Sequence, residues 1–187
     1  MAITLHLLKP VSDEDLLELS QRNLYQLERR RDGALIVTMV GKASSARTAD
    51  LTAQVASWSQ GPCAGPVFGS SAGFHLADGS VLSPDTSWMQ PERWETLTRP
   101  QQEGFPPLCP DAVFEIRVPT DAIEELHAKM RLYLDNGARL AVLIDPFDRF
   151  VELWRPEREP DHFAGEHWVA MDPELPGLVL EVDSLYA

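Results

Sequence analysis

The stretch DAVFEIRVPTDAIEELHAKMRLYLDNGARLAVLIDP, residues 111–146, carries the clearest secondary-structure signals of the chain. Residues 111–118 alternate between two faces, with Glu115 on one of them, as expected of a β-strand. Residues 121–137 repeat apolar side chains at helical spacing, in a stripe that includes Met130 and Tyr133, and end at a glycine. Residues 139–146 form a nearly continuous apolar run, which is typical of a buried central strand. The stretch therefore predicts a strand, a helix and a second strand in succession.

The flanking sequence predicts further elements of both kinds. Residues 149–156 alternate and should pair with the buried strand through a short turn. Farther upstream, two Asp-Gly pairs are strong turn signals and predict β-hairpins within residues 24–40 and 66–85. Apolar side chains at helical spacing predict helices over residues 12–23 and 44–60. Hairpins and helices thus alternate along the chain.

The order of these elements favours an α/β protein of the α+β kind. We expect a mixed β-sheet that is flanked by helices, together with an N-terminal β-hairpin. A chain of 187 residues has the usual size of one domain and can bury most of its apolar surface in one core. The sequence therefore predicts a single domain over residues 1–187.

The charge balance limits the classes of function. Asp and Glu number 29 against 16 Lys and Arg, so the formal net charge is −13. Such a chain lacks the general cationic surface through which proteins bind nucleic acid nonspecifically. A local basic groove, or a metal site that gathers carboxylates, is still compatible with this composition.

Cysteine content and hydropathy suggest where the protein works. The two cysteines, Cys63 and Cys109, do not make a disulfide framework, so a reducing compartment is expected. Neither cysteine stands in a context with a histidine that would favour nucleophilic catalysis. No apolar run approaches the ~18 residues of a membrane span. We therefore expect a cytoplasmic protein without a membrane segment.

Acidic and basic side chains gather around the predicted strands. Asp85 follows a proline at a predicted bend, and Glu28 lies in the first hairpin. Glu115 and Arg117 lie two apart on one strand face, and Lys129 flanks the apolar stripe of the next helix. Carboxylates hold a hard divalent cation, the cation polarises a phosphate, and a nearby basic side chain stabilises the developing charge. This combination is what metal-assisted phosphodiester hydrolysis needs.

With the long stretches around them, these residues resemble the PD-(D/E)XK superfamily of restriction-endonuclease-like proteins, and more closely its Uma-type family of endonucleases. The resemblance covers nearly the whole chain through the segments YQLERRRDGALIV, FGSSAGFHLADGSVLSPDTSWMQPERWETL, GFPPLCPDAVFEIRVPTD, LHAKMRLYLDNGARLAVLIDPFDRFVELWRP and LPGLVLEV. It implies a restriction-endonuclease-like fold and hydrolysis of DNA phosphodiester bonds by a metal-activated water. It also implies Mg²⁺ as the metal, with Mn²⁺ as a substitute, and a homodimer or higher homo-oligomer.

The resemblance further implies a role for each candidate residue. Asp85 and Glu115 would bind Mg²⁺, and Glu28 would support the metal. The lysine that the family usually carries on the strand would be replaced by Lys129 on the helix, because the strand position holds Arg117. Lys129 and Arg117 would together orient water or phosphate.

Other residues of the matching segments have implied roles outside the catalytic set. Arg29 and Arg30, in a run of three arginines, and Arg47 are candidates for contact with the DNA backbone. The arginine run is also compatible with a solvated turn. Asp111 begins the strand that contains Glu115 and would have a structural role.

The residues alone leave other interpretations open. Asp85 can be a turn residue, and Glu115 can belong to a solvated strand face paired with Arg117. Lys129 can be a surface side chain that covers apolar atoms, and Glu28 can pair with neighbouring arginines. The acidic chain is compatible with a nuclease fold that has lost catalysis and acts as an oligomeric binding module. A metal-dependent hydrolase of another phosphoester is a third interpretation.

Overall fold

Two β-sheets, a small third sheet and several helices make up the fold. The computed structural model describes residues 2–22, 26–38, 42–61 and 64–187. The helices are α1 (Asp13–Arg22), α2 (Lys42–Trp58), α3 (Pro91–Glu95), α4 (Arg99–Glu103), α5 (Ile123–Asp135) and α6 (Asp183–Tyr186). The strands are β1 (Ala2–Leu5), β2 (Gln26–Arg29), β3 (Leu35–Thr38), β4 (Val67–Gly69), β5 (Phe74–His75), β6 (Val81–Leu82), β7 (Thr86–Trp88), β8 (Ala112–Ile116), β9 (Leu140–Asp145), β10 (Phe150–Trp154), β11 (Asp161–Ala164), β12 (Trp168–Ala170) and β13 (Val179–Glu181).

A six-stranded mixed sheet forms the centre of the fold, in the order β11-β10-β9-β8-β7-β4. The β8–β9 pair is parallel, whereas the other pairs of this sheet are antiparallel. Helix α5 connects β8 to β9, because parallel neighbours need a crossover connection. The predicted strand–helix–strand unit, the mixed sheet and the pairing of β10 with β9 are therefore confirmed.

Strand β8 is buried on both of its faces. Phe114 and Ile116 pack on one side in a core that includes Leu51 of α2. Val113 lies in the core on the other side, together with Met130 of α5. The alternation predicted for this strand thus separates two layers of core, and its charged member points toward α5.

A second sheet of five strands carries both predicted hairpins, in the order β1-β3-β2-β6-β5. All of its pairs are antiparallel. The hairpin turns contain Gly33 and Gly79, whose φ angles of 83° and 90° favour glycine. Residues 24, 25, 39 and 40 of the first predicted hairpin, and Cys63, lie outside the described residues. The pairing of β2 with β6 brings the first hairpin beside the Pro-Asp bend.

Several short elements were not predicted from sequence patterns. Strands β1, β7, β11 and β12 and helix α6 contain three or four residues each, too few for a periodic signal to stand out. Strand β7 matters most, because it begins directly after Asp85 and pairs with β8. Within the described ranges, no helix is both long and apolar enough to cross a membrane.

Candidate active site

A cleft of about 740 Å³ lies between the five-stranded sheet and helix α5. Strands β2 and β3 line one wall, and α5 with the end of β8 lines the other. Four of the five predicted catalytic residues line this cleft: Glu28, Asp85, Glu115 and Lys129. The structure therefore brings together residues from both sheets and one helix that lie far apart in the sequence.

Lys129 joins the two walls of the cleft. Its Nζ lies 2.8 Å from Glu115 Oε1 and 3.0 Å from Glu28 Oε1. Both glutamates are buried, with only 6% of their surface exposed. Lys129 is thus a bridging cation of the site rather than a surface side chain.

Glu28 is held by the bend as well as by the lysine. Its Oε1 accepts a hydrogen bond of 2.8 Å from the main-chain N–H of Ser83, which begins the sequence Ser-Pro-Asp. The same oxygen faces the Lys129 ammonium. Glu28 therefore fixes Lys129 and the bend relative to each other, and among the described residues it pairs with no neighbouring arginine.

Asp85 ties the bend to the strand that carries Glu115. Its Oδ2 accepts a hydrogen bond of 2.9 Å from the main-chain N–H of Ile116, the residue that follows Glu115. Burial raises the pKa of Asp85 to about 6, although this hydrogen bond and the Lys129 charge act in the opposite direction. No basic side chain pairs directly with Asp85 among the described residues. The two proposed metal ligands are thus adjacent, and one of them lacks a direct counter-ion.

Negative charge is in excess in the cleft. Burial raises the pKa of Glu115 to about 8; Lys129 lowers it, and the charges of Asp85 and Glu28 raise it further. Burial by itself would lower the pKa of Lys129, but Glu115 and Glu28 outweigh this effect and raise it. Three carboxylates therefore face one permanent ammonium group. A bound cation would relieve this imbalance.

Tyr133 is a member of the site that sequence analysis did not identify. Its hydroxyl donates a hydrogen bond of 2.7 Å to Glu115 Oε1, in the buried interior of the protein. Lys129 and Tyr133 are four residues apart on α5, so both reach the same oxygen from one helix face. The spacing of Lys129 and Tyr133 can be read from the sequence, but the helical repeat alone assigns Tyr133 to the apolar stripe.

Arg117 does not lie where its catalytic role would require. Its Nη1 is 2.6 Å from Asp145 Oδ2 and 2.9 Å from Asp148 Oδ2, and it is not part of the cleft lining. Strand β8 ends one residue earlier, and the guanidinium turns toward the β9–β10 turn. The prediction that Arg117 acts beside Glu115, as a catalytic group or as its ion-pair partner, therefore finds no support in the geometry.

The three candidate DNA-binding arginines have different surroundings. Arg29 donates to the carbonyl of Val11 and pairs with an aspartate of α1, so its side chain has a structural role. Arg47 donates to the carbonyl of Ala187 and is not part of the cleft lining. Arg30 does line the cleft, and Arg31 beside it does so too. The basic rim of the cleft therefore consists of Arg30 and Arg31.

Asp111 has the structural role that was expected of it. Its Oδ1 lies 2.8 Å from Nη1 of Arg93, and its Oδ2 accepts a hydrogen bond from the main-chain N–H of Gln90. The side chain is 3% exposed. Asp111 therefore fastens the start of α3 to the start of β8, while Asp85 is the aspartate of the cleft.

The donor groups fit a hard divalent cation with few protein ligands. In the part of the chain that the structure describes, no three His, Cys, Asp or Glu side chains are spaced to hold one metal ion together. Mg²⁺ commonly keeps several waters and binds through one or two carboxylates. Asp85 and Glu115 offer two such carboxylates, although Lys129 and Tyr133 engage one oxygen of Glu115. One oxygen of Glu28 is likewise engaged, by Lys129 and a main-chain N–H.

Replacing Asp85 with asparagine should stabilise the metal-free protein above pH 6. The folded-state pKa of about 6 exceeds the ordinary value near 4, so the folded protein binds this proton more tightly than the unfolded chain does. The bound proton contributes its full stabilisation of the folded parent below pH 4, and this contribution is lost as the pH rises through 6. After a discount for solvent screening, we expect Asp85→Asn to raise the free energy of unfolding by about 1–2 kcal/mol at pH 8 and by little at pH 4.

Urea unfolding with a chelator, at several pH values between 4 and 8, measures this difference. Glu124→Gln, an exposed change on α5, serves as the control and should leave the pH dependence as it is in the parent. If the free energies of unfolding of the parent and Asp85→Asn vary in parallel with pH, the placement of Asp85 in a half-buried anionic site is contradicted.

Comparison with known proteins gives a family and a fold. The model of the Uma2 family, described as "Putative restriction endonuclease", matches residues 13–183. The crystal structure of a protein from Anabaena variabilis, described as "a putative nuclease belonging to DUF820", matches with a TM-score of 0.74 at 20% identity, over 95% of this chain and 98% of that one. At that identity the likeness shows the fold alone, and it confirms the fold that was predicted. The search of curated proteins finds no match.

Proposed function

Because the chain belongs to the Uma2 family of restriction-endonuclease-like proteins, we propose that it is a divalent-metal-dependent endonuclease that hydrolyses DNA phosphodiester bonds. One observation carries this proposal. Lys129 bridges Glu28 and Glu115 beside Asp85, within one cleft. Basic and acidic groups so arranged are suited to phosphodiester hydrolysis.

Asp85 and Glu115 are the residues that would hold the metal. They are adjacent through the Ile116 hydrogen bond. Burial raises the pKa of both carboxyl groups, and the charge of Lys129 offsets this effect only in part. When bound, Mg²⁺ would polarise the phosphodiester and lower the pKa of a water. Proteins of the restriction-endonuclease-like family generally use divalent metals, and Mn²⁺ is the substitute we propose for Mg²⁺.

Lys129 acts as a permanent charge rather than as a base. Its raised pKa keeps the ammonium protonated at neutral pH, so it can donate hydrogen bonds but cannot accept a proton. In this role it orients a water or a phosphate oxygen and stabilises negative charge that develops there. Glu28 holds the ammonium in place from the opposite wall of the cleft.

Arg30 and Arg31 are the side chains that we expect to contact DNA phosphates. Both line the cleft at the β2–β3 turn, and neither has a side-chain ion pair among the described residues. Asp32 shares this turn, where its Oδ1 accepts a hydrogen bond from the main-chain N–H of Ala34. The acidic side chains farther along the lining are Asp78, Asp121 and Glu125. The DNA backbone therefore enters beside the hairpin, where phosphates meet positive charge.

Removing the two rim arginines should weaken DNA binding in a salt-dependent way. For Arg30→Ala/Arg31→Ala we expect about tenfold weaker binding near 100 mM salt and a salt slope that is smaller by about one to two. Fluorescence anisotropy with labelled DNA in the presence of a chelator measures binding without cleavage. Arg47→Ala/Arg99→Ala removes two arginines outside the cleft lining and should behave as the parent does. Equal losses in both variants would mean that only net charge matters.

Cleavage assays test the function itself. Linear and circular DNA, single-stranded and double-stranded, are incubated with Mg²⁺, with Mn²⁺ or with a chelator. We expect products with either metal and none with the chelator. Cleavage that persists in the chelator would contradict metal dependence.

A binding module without catalysis is the second candidate function. The net charge of −13 and the lack of a three-residue metal cluster in the described ranges favour it. Metal binding separates the two candidates, because a degenerate site would no longer need a cation. A metal-dependent hydrolase of another phosphoester is the third.

The organisation of the protein is also part of the proposal. We propose one domain over residues 1–187 and a homodimer or higher homo-oligomer, which would bring two clefts to one DNA. The cysteine content is the reason for proposing the cytoplasm as the location.

A further inference from the structure

We propose that Tyr133 is a positioning residue that holds the Glu115 carboxylate in the orientation with which it binds the metal. This inference rests on the proposed function. It gives a role to a buried hydroxyl that does not take part in the proposed hydrolysis itself.

Within the described part of the chain, the hydroxyl of Tyr133 has one partner. It donates to Glu115 Oε1 over 2.7 Å, and the side chain is fully buried, with 0% of its surface exposed. The ring packs in the core layer that contains Met130 and Leu143. A side chain packed in this way has little freedom to turn, so the direction of its O–H bond is fixed by the core.

Two donors meet at a single oxygen of the carboxylate. Lys129 Nζ lies 2.8 Å from the same Oε1 that accepts the Tyr133 hydrogen bond. Among the described residues, no group donates a hydrogen bond to Oε2 of Glu115. The paired donors therefore fix the rotation of the carboxylate through Oε1, and they leave Oε2 for a ligand from outside the protein.

The lysine cannot perform this task alone. Its ammonium is shared between Glu115 and Glu28, at 2.8 and 3.0 Å, and it would shift when water or phosphate competes for its protons. Tyr133 is neutral and has no second acceptor among the residues that the structure describes, so it holds Glu115 without cancelling its charge. Partners that orient a metal ligand typically change metal affinity by about 10–100-fold when they are removed.

Tyr133→Phe tests the inference, because it removes the hydroxyl and retains the packed ring. Calorimetric titration of Mn²⁺ should give a dissociation constant about tenfold larger than that of the parent. Tyr186→Phe is the matched control. Its hydroxyl is also buried but has no hydrogen-bond partner in the described structure, so its loss should leave Mn²⁺ affinity unchanged.

The outcomes separate this inference from the proposed function. Equal Mn²⁺ affinity in the parent and Tyr133→Phe would overturn the positioning role and leave the nuclease proposal intact. A parent that binds no Mn²⁺ would overturn the metal site, and the positioning role with it. Weaker binding in Tyr133→Phe together with unchanged binding in Tyr186→Phe supports the role.

A double-mutant cycle shows whether Tyr133 acts through Glu115, even if the phenylalanine variant is less stable. Thermal unfolding is compared for the parent, Tyr133→Phe, Glu115→Met and the double variant. Methionine keeps the length of the side chain but offers no carboxylate. If the hydroxyl serves Glu115, its removal lowers the melting temperature in the parent but not in the Glu115→Met background. Equal decreases in both backgrounds would overturn the inference.

Discussion

Replacing Lys129 with alanine is expected to reduce DNA cleavage by about 10²–10³-fold or more, to the level of background. Among the described residues, the Lys129 ammonium is the one basic group that touches two of the site carboxylates, and its charge is permanent because its pKa is raised. Loss of a donor that stabilises developing charge typically costs that much in rate. Initial rates on labelled DNA at saturating Mg²⁺ measure the effect.

A structural loss must be distinguished from a catalytic one. Without Lys129, Glu28 and Glu115 stay buried and unpaired, which can cost about 3–5 kcal/mol of stability. Near-UV circular dichroism and assays below the melting temperature control for this cost. Mn²⁺ binding adds a second readout, since an incoming cation would replace the missing charge and bind at least as tightly as in the parent. Arg117→Ala, which breaks two ion pairs outside the cleft, should keep its activity. Cleavage at the parent rate by Lys129→Ala would remove the lysine from the mechanism.

Local patterns were sufficient to predict the centre of the fold. The alternation around Glu115, the helical repeat over α5 and the apolar run of β9 each arise from burial within one continuous segment. Such signals can be read from the sequence because each element places its apolar residues toward the core at a regular spacing. The two Asp-Gly turns were equally local, since their glycines have the positive φ that the turns require.

The meeting of the two sheets could not be predicted from these patterns. Glu28 reaches Lys129 only because β2 pairs with β6 and the second sheet faces α5. No local period encodes a contact between segments that are a hundred residues apart. Only the family resemblance predicted that Glu28, Asp85 and Lys129 belong to one site.

Arg117 and Tyr133 show how the period of a strand or helix can mislead. Alternation placed Arg117 with Glu115, but β8 ends before it and Asp145 of the neighbouring strand captures its guanidinium. Periodicity counted Tyr133 as core, which it is, yet a buried phenol usually has a hydrogen-bond partner. The polar end of an aromatic side chain is therefore evidence about a site even when its ring belongs to the core.

Replacing Asp85 with alanine is expected to weaken Mn²⁺ or Mg²⁺ binding by about 100-fold or more. Asp85 is one of two carboxylates that would hold the metal, and a site with so few protein ligands has little to replace it. Calorimetry on the metal-free protein at pH 7.5, above the pKa of Asp85, measures the binding without any need for the correct DNA. Near-UV circular dichroism shows whether the bend has kept its packing.

Asp78→Ala is the matched control, because Asp78 lines the same cleft but binds Ser80. If metal binding is a property of the site, only Asp85→Ala loses it. If both variants lose affinity equally, the cation responds to the general negative charge of the cleft and no ligand role follows. If the parent itself binds no cation, the catalytic proposal fails at its first step and the binding module becomes the better account. If the parent binds the cation and Asp85→Ala does not, the excess of carboxylates in the cleft becomes the strongest evidence for catalysis. Such a charge imbalance is costly unless a cation offsets it.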